Sequence, residues 1–313
     1  MVWGTCSFSN GTGEIGIFQR MKTHDCDPTL TDTQVLDFCR NGYIVLNGVV
    51  DEDVNRRASE FCAGDDHHEP TGILDEDWFV DGVVLNKEAA GAVRCLLGAN
   101  FHVPVLMSNH RTQGVLDGLG GWHVDGNSRF SPDVNYLQVF YYPQDTPLEL
   151  GPTAVVPGSH LVHNRARFMS HLSAIRGAEP LVSPAGTIFI TDYSIWHRRG
   201  AKTQEGVRDM LKYVYWRTQP PARDWLVEAE FDFSSVDYGS PMSRFTEQFR
   251  DHGKVAEKFL WLCGQHDAYQ NLGGQSWPLP AHRNDMPYGY PEGLPVLEGR
   301  PSPHELRLAA KKT

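Results

Sequence analysis

Apolar residues recur along this chain with two different spacings, and the change from one to the other divides it. Residues 29–42, TLTDTQVLDFCRNG, have the spacing of an amphipathic helix. Thr31 or Asp32 stands where an N-cap belongs, and Gly42 follows the last periodic residue. Residues 43–46 are then a short strand, 51–62 open on acidic residues and continue as a second helix, and 86–97 supply a third. Beyond that the runs shorten. Residues 103–108, 135–142, 153–156, 187–191 and 210–217 are rich in Val, Ile, Phe and Tyr, and DGLGG, TPLELGP, VPGSH and SPAG punctuate them. Many short strands with turn signals between them predict a mainly β fold with flanking helices, built on a jelly-roll, cupin-like core.

Helical spacing returns in residues 243–263, with Phe245, Phe249, Val255, Phe259 and Leu262 on one side. After Gly273 the chain is rich in Pro, Gly, Trp and Tyr and is read as an extended tail. The organisation expected is a poorly ordered extension over 1–27, in which Met21 offers an alternative start, and a domain over 28–218. The helical segment and tail of 219–313 are expected to pack on that domain.

Composition narrows the function. With 40 % hydrophobic residues the 313-residue chain has enough apolar material for a substantial core. Its 28 Lys and Arg against 39 Asp and Glu leave a net charge of −11, which repels a phosphate backbone and an anionic bilayer alike. No apolar run is long enough to span a membrane, and the N-terminus lacks a basic start before an apolar stretch, so a cytoplasmic location is expected. The six cysteines are scattered without a CxxC pair, which fits reduced, mostly buried thiols.

The chemistry is concentrated in Gly121-Trp122-His123-Val124-Asp125-Gly126. In a strand, residues two apart share a face, so His123 and Asp125 can offer an imidazole nitrogen and a carboxylate oxygen to one metal. Trp122, one residue earlier, then points away into the core, and so does Trp196. His197, 72 residues after Asp125 and following the strand-like AGTIFITDYSIW, is the third candidate ligand. Two His and one carboxylate on one face of an octahedron leave three sites open, as in non-haem iron(II) oxygenases. Arg208 lies 11 residues further on, beside the apolar MLKYVYW. From there a guanidinium can grip the distal carboxylate of 2-oxoglutarate as a fork.

Taken together, WHVDG, ELGPTAVVPGSH, AGTIFITDYSIWH and the spacing to Arg208 resemble the phytanoyl-CoA dioxygenase family of 2-oxoglutarate-dependent oxygenases. The resemblance covers residues 29–218, and LTDTQVLDFCRNGYIVLNGVV resembles that family's helix-then-strand opening. It implies a double-stranded β-helix core, Fe(II) held by His123, Asp125 and His197, and 2-oxoglutarate held by Arg208. O2 is the second co-substrate and the target is a C–H bond of a small molecule. Asp125 fills the position that is a small residue in related halogenases, so hydroxylation is expected as the default rather than halogenation, with desaturation, ring closure, epimerisation and demethylation open from the same hydrogen abstraction. Two departures stand out: Arg199 where the family often has a small or hydroxylated residue, and Leu150-Gly151 where it has Asn-Gly.

Around this centre, Gln138 and Phe140, alternating with Tyr142 along one strand face, are expected to line the co-substrate pocket. His110, Arg111 and Arg199 are candidates for substrate contact. His160 in VPGSH is read as structural or as part of the rim, and His67-His68 as a solvated loop. Residues 64–85, 126–134 and 160–180 are expected as loops that shape specificity. A cupin-like metal-containing binding or sensing protein, and a metal-dependent isomerase or hydrolase, are the alternatives on the same core.

Overall fold

The computed structural model describes residues 22–64, 67–126, 129–162, 169, 171–231 and 252–268. Helix α1 (Asp32–Asn41) starts at the expected place because Thr31 and Gln34 cap it reciprocally: Thr31 Oγ1 accepts from Gln34 N–H, and Gln34 Oε1 accepts from Thr31 N–H at 2.9 Å. It stops at Gly42, whose φ of +84° lets its N–H bond back to the Phe38 carbonyl. Strand β2 (Tyr43–Leu46) follows, then α2 (Glu52–Cys62) and α3 (Lys87–Leu97), the last capped by the Asn86 side chain. Residues 67–85 are not the loop expected within 64–85: Thr71–Asp75 is a 3-10 turn, and Asp77–Phe79 is a short helical turn that widens over Val80–Val84. Ile73, Phe79, Val83 and Val84 are buried there.

The β core is two antiparallel layers. In the larger sheet the order is β1 (Thr23–His24), β3 (Phe101–His102), β12 (Leu211–Trp216), β6 (Tyr136–Tyr142), β9 (Thr187–Asp192) and β2, with β4 (Ser108–Asn109) also against β12. The smaller sheet orders β10 (His197–Arg199), β7 (Thr153–Val155) and β8 (Glu179–Pro180), and β5 (Thr112–Gln113) pairs with β11 (Val207–Arg208). This is the jelly-roll architecture expected. Alternation along the central strands assigns the two faces of the larger sheet. Leu137, Val139, Tyr141, Leu211, Tyr213, Tyr215, Ile188 and Ile190 join the core beneath the helices. Phe140, Tyr142 and Phe189 on the other face pack instead with Val155, Ile195 and Met210.

Two expectations fail. Residues 103–107 are not a strand; Pro104 has no N–H to give a ladder, and pairing is confined to β3 before them and to β4, which takes in Ser108. Residues 22–27 are not part of an irregular extension. Thr23 and His24 add to β3 in register with His102 and Phe101, and Asp25 accepts from Arg94 Nε at 2.6 Å. Residues 1–21 and the tail beyond 268 lie outside the described residues.

The chain after 218 is tied back onto the domain. Buried Asp32 accepts from Arg223 through both oxygens at 2.7 Å, from Trp225 Nε1 at 2.8 Å and from the Glu228 N–H at 2.8 Å. Helix α4 (His252–Leu262) buries Val255, Phe259 and Leu262, the face expected; Phe245 and Phe249 lie outside the described residues. Its Lys258 donates to Asp192 at 2.9 Å inside the protein. Cys39, Cys62, Cys95 and Cys263 are buried free thiols. Burial pushes Cys62 and Cys263 up to about 12, so they are unreactive packing groups. Among the described residues, no helix is long and apolar enough to cross a membrane.

Candidate metal centre

His123 and His197 meet through the backbone. Each N–H donates to the other's carbonyl at 3.0 Å, an isolated antiparallel bridge that puts both rings on one side of the layer, 4.3 Å apart. The expected strand at 121–126 is reduced to this single bridge, because Gly126 turns away and donates to the Tyr193 carbonyl at 2.8 Å. A side chain at Gly126 would run into that carbonyl and Ser194, so the turn needs glycine. His197 likewise does not end β9; residues 193–196 turn the corner and His197 opens β10.

Ring tautomers follow from the partners. His123 Nδ1 lies 3.0 Å from the Gly121 carbonyl and His197 Nδ1 lies 3.1 Å from that of Ile195. A carbonyl only accepts, so each Nδ1 carries the hydrogen and each Nε2 offers a lone pair. Burial, then the neighbouring His197, pulls His123 below the ordinary imidazole range, which favours the neutral ligating form.

Asp125 completes the group. Its Oδ2 lies 3.3 Å from His197 Nε2, and one ligand atom from each of His123, Asp125 and His197 falls within 4.8 Å of the others. Burial raises the Asp125 carboxyl, but the ammonium of Lys212, through its charge and its hydrogen bond to Oδ2, opposes burial and the carboxyl lies well below the usual carboxylate range. The donor set suits a divalent ion: two neutral imidazole nitrogens and one anionic oxygen on one side.

Next to these residues is a cavity of about 470 Å³ whose lining includes His110, His123, Thr153, His197, Arg199 and Arg208. Arg208, expected at the head of a long apolar strand, sits instead on the two-residue β11, just before β12. It is 1 % exposed; one terminal nitrogen donates to the Gly151 carbonyl and the other to that of His110, both at 3.0 Å. Its Nε, also buried, has no partner among the described residues. The adjacent acid, Asp209, is committed to Arg111 at 2.7 Å. A buried guanidinium held only by neutral groups, with a donor to spare beside a cavity, fits a carboxylate ligand.

The other candidates separate. Gln138 touches Asp125 Oδ2 through Nε2 at 2.5 Å, and the Phe140 ring lies 5.5 Å from that of His197. Both therefore bear on the His/Asp group itself. Tyr142, on the same face, bonds Thr153 Oγ1 at 2.9 Å. His110 lines the cavity and is pushed down to about 4, first by burial and then by the charges of Lys212 and Arg208. Arg111 reaches the cavity wall, but its guanidinium is used by Asp209 and the Cys62 carbonyl. Arg199 bonds the carbonyls of Leu116, Gly118 and Gly200 and so pins the glycine-rich segment 114–121. His160 is buried against Gly42, with Nε2 3.0 Å from the Cys39 carbonyl, far from any ligand role. Trp122 and Trp196 point away from the site into one apolar cluster. The His67 and His68 rings lie 4.2 Å apart, tilted by 50° to each other.

Sequence reasoning missed Lys212, whose Nζ lies 2.6 Å from Asp125 Oδ2. Its signal was a lone cation inside MLKYVYW, on the face opposite Leu211 and Tyr213.

A model of the phytanoyl-CoA dioxygenase (PhyH) family matches residues 51–210, just over half of the chain. The chain belongs to the phytanoyl-CoA dioxygenase family. No curated protein matches it. Among solved structures, HygX from Streptomyces hygroscopicus with nickel and 2-oxoglutarate bound is 19 % identical, covering 63 % of this chain and 90 % of that one with a TM-score of 0.51. The epimerase SnoN, in complex with ferric iron, alpha-ketoglutarate and nogalamycin RO, is 17 % identical, covering 59 % and 83 % with a TM-score of 0.48. At such identities the likeness to HygX speaks for the fold. As a phytanoyl-CoA dioxygenase family member, the protein is a 2-oxoglutarate-dependent non-haem iron oxygenase that works with Fe(II), 2-oxoglutarate and O2.

Proposed function

We propose that His123, Asp125 and His197 hold the iron, that Arg208 holds 2-oxoglutarate by its distal carboxylate, and that the enzyme oxidises an unactivated C–H bond of a small molecule, by hydroxylation in the default outcome. The observation that carries this reading is the convergence of His123 and Asp125 with His197, 72 residues beyond Asp125, on one metal-sized volume beside a buried arginine that has no carboxylate bonded to it among the described residues. When bound, iron with 2-oxoglutarate and O2 supplies the oxidant for hydrogen-atom abstraction.

The residues' own work is placement. The carbonyls of Gly121 and Ile195 fix both imidazoles with Nε2 presented, and the Asp125 carboxylate stays ionised throughout the neutral range. Arg208 draws a dicarboxylate to one end of the cavity, so its other end faces the His/Asp group. Thr153, which accepts from the buried Tyr142 hydroxyl, lines the same cavity.

Anaerobic addition of Fe(II) and 2-oxoglutarate should give a weak visible charge-transfer band. Its absence from both His123→Ala and Asp125→Ala is expected, whereas an unchanged band in both would end the assignment.

A further inference from the structure

Two donors from neighbouring strands converge on a single oxygen. Asp125 Oδ2 receives Gln138 Nε2 from β6 at 2.5 Å and Lys212 Nζ from β12 at 2.6 Å. The register explains how. Lys212 lies opposite Phe140 and Gln138 opposite Val214, so the two donors stand one diagonal step apart on the face turned away from the helices. Gln138 is fully buried, and its amide already holds the carboxylate in place. What Lys212 adds is charge. The Lys212 and Asp125 side chains are only 17 % and 20 % exposed, so water screens that charge incompletely.

A fixed positive charge beside a metal ion repels a trivalent ion more than a divalent one. It also drains electron density from the shared carboxylate, which weakens that oxygen as a ligand. Both effects act in the same direction.

We infer that Lys212 is a resident cation of the metal centre, which loosens its grip on metal ions and raises the Fe(III)/Fe(II) potential so that bound iron stays ferrous. This rests on the reading of His123, Asp125 and His197 as ligands. A lysine that merely propped the carboxylate would have the opposite signature, because removing a prop weakens metal binding.

The test separates charge from hydrogen bonding in the full-length protein without 2-oxoglutarate. K212Q keeps a donor and loses the charge, K212R keeps the charge, and Q138L removes the neutral donor alone. Co(II) affinity is read by competition with a chromophoric chelator, and the iron midpoint potential by an optical redox titration. K212Q should bind Co(II) about tenfold more tightly, or more, and show a lower midpoint potential. K212R should stay near wild type, and Q138L, which removes a neutral donor and no charge, should lower the potential clearly less than K212Q does. Should K212Q fail to fold, K212M carries the same comparison. An unchanged potential in the charge-deleted variant, or weaker Co(II) binding by it, overturns the role assigned to Lys212. Wild-type protein that takes up neither Co(II) nor Fe(II) would overturn the ligand assignment instead, and this inference with it.

Discussion

At the scale of single residues, the same side-chain types do different work depending on whether their charge is already answered. Arg111 and Arg208 both reach the cavity wall, yet Arg111 is neutralised by Asp209, whereas Arg208 bonds the carbonyls of Gly151 and His110 and has no carboxylate bonded to it among the described residues. Spare binding capacity for an anion therefore resides in Arg208. Arg208→Met is expected to weaken 2-oxoglutarate binding roughly 10- to 100-fold, the ratio set by the ~1.5–3 kcal/mol of a hydrogen bond to a charged group. Calorimetric titration of the Co(II)-loaded protein checks this, with Co(II) affinity expected to hold. His123, Asp125, His197 and Arg208 were legible from residue type and spacing. Lys212 and Gln138 were not read as partners of Asp125, because their meeting depends on cross-strand register.

At the scale of elements, helix ends were legible because their signals are local. The Thr31–Gln34 box, the Asn86 cap and left-handed Gly42 each act within four residues. The small strands were not: β5, β8 and β11 are two residues long and exist only through their partners. Helix α4 shows what a distant partner adds. Lys258 is 2 % exposed at the side chain and its ammonium meets Asp192, two residues before the turn that carries Ser194 and leads to His197. Burial raises the Asp192 carboxyl, yet Lys258 and His160 keep it below its ordinary range. Lys258→Met should therefore leave a buried carboxylate unpaired and destabilise the protein by about 3–5 kcal/mol in urea denaturation. Lys258→Arg should recover part of that loss.

For the whole molecule, the clearest solution behaviour comes from a buried neutral imidazole. His160 is 3 % exposed, and burial pushes it down to about 4, the charge of Lys258 adding to the effect and that of Asp192 opposing it. In the unfolded chain a histidine titrates near 6.5, so between these values the unfolded state binds a proton that the folded state refuses. The resulting stability is present above about pH 6.5 and is lost as pH falls towards 4, an order-of-magnitude change of about 3 kcal/mol. Urea midpoints at pH 7 and pH 4.5 check this. His160→Gln should reduce the difference between them by that share and leave the part due to His110, and an equal pH dependence in both proteins would refute the assignment.

The chain's own order of residues determined the helix caps, the run of short β segments, the buried thiols and the two halves of a His/Asp cluster. Those follow from rules that act over a few residues: capping, alternation and the chemistry of a side chain. Tertiary structure alone decided that the bridge between His123 and His197 would bring the halves together, that Arg111 would be spent on Asp209, and that Lys212 would reach Asp125. Each of these joins residues about 70 to 100 positions apart, and their distance is set by sheet register and layer packing, which no local pattern encodes.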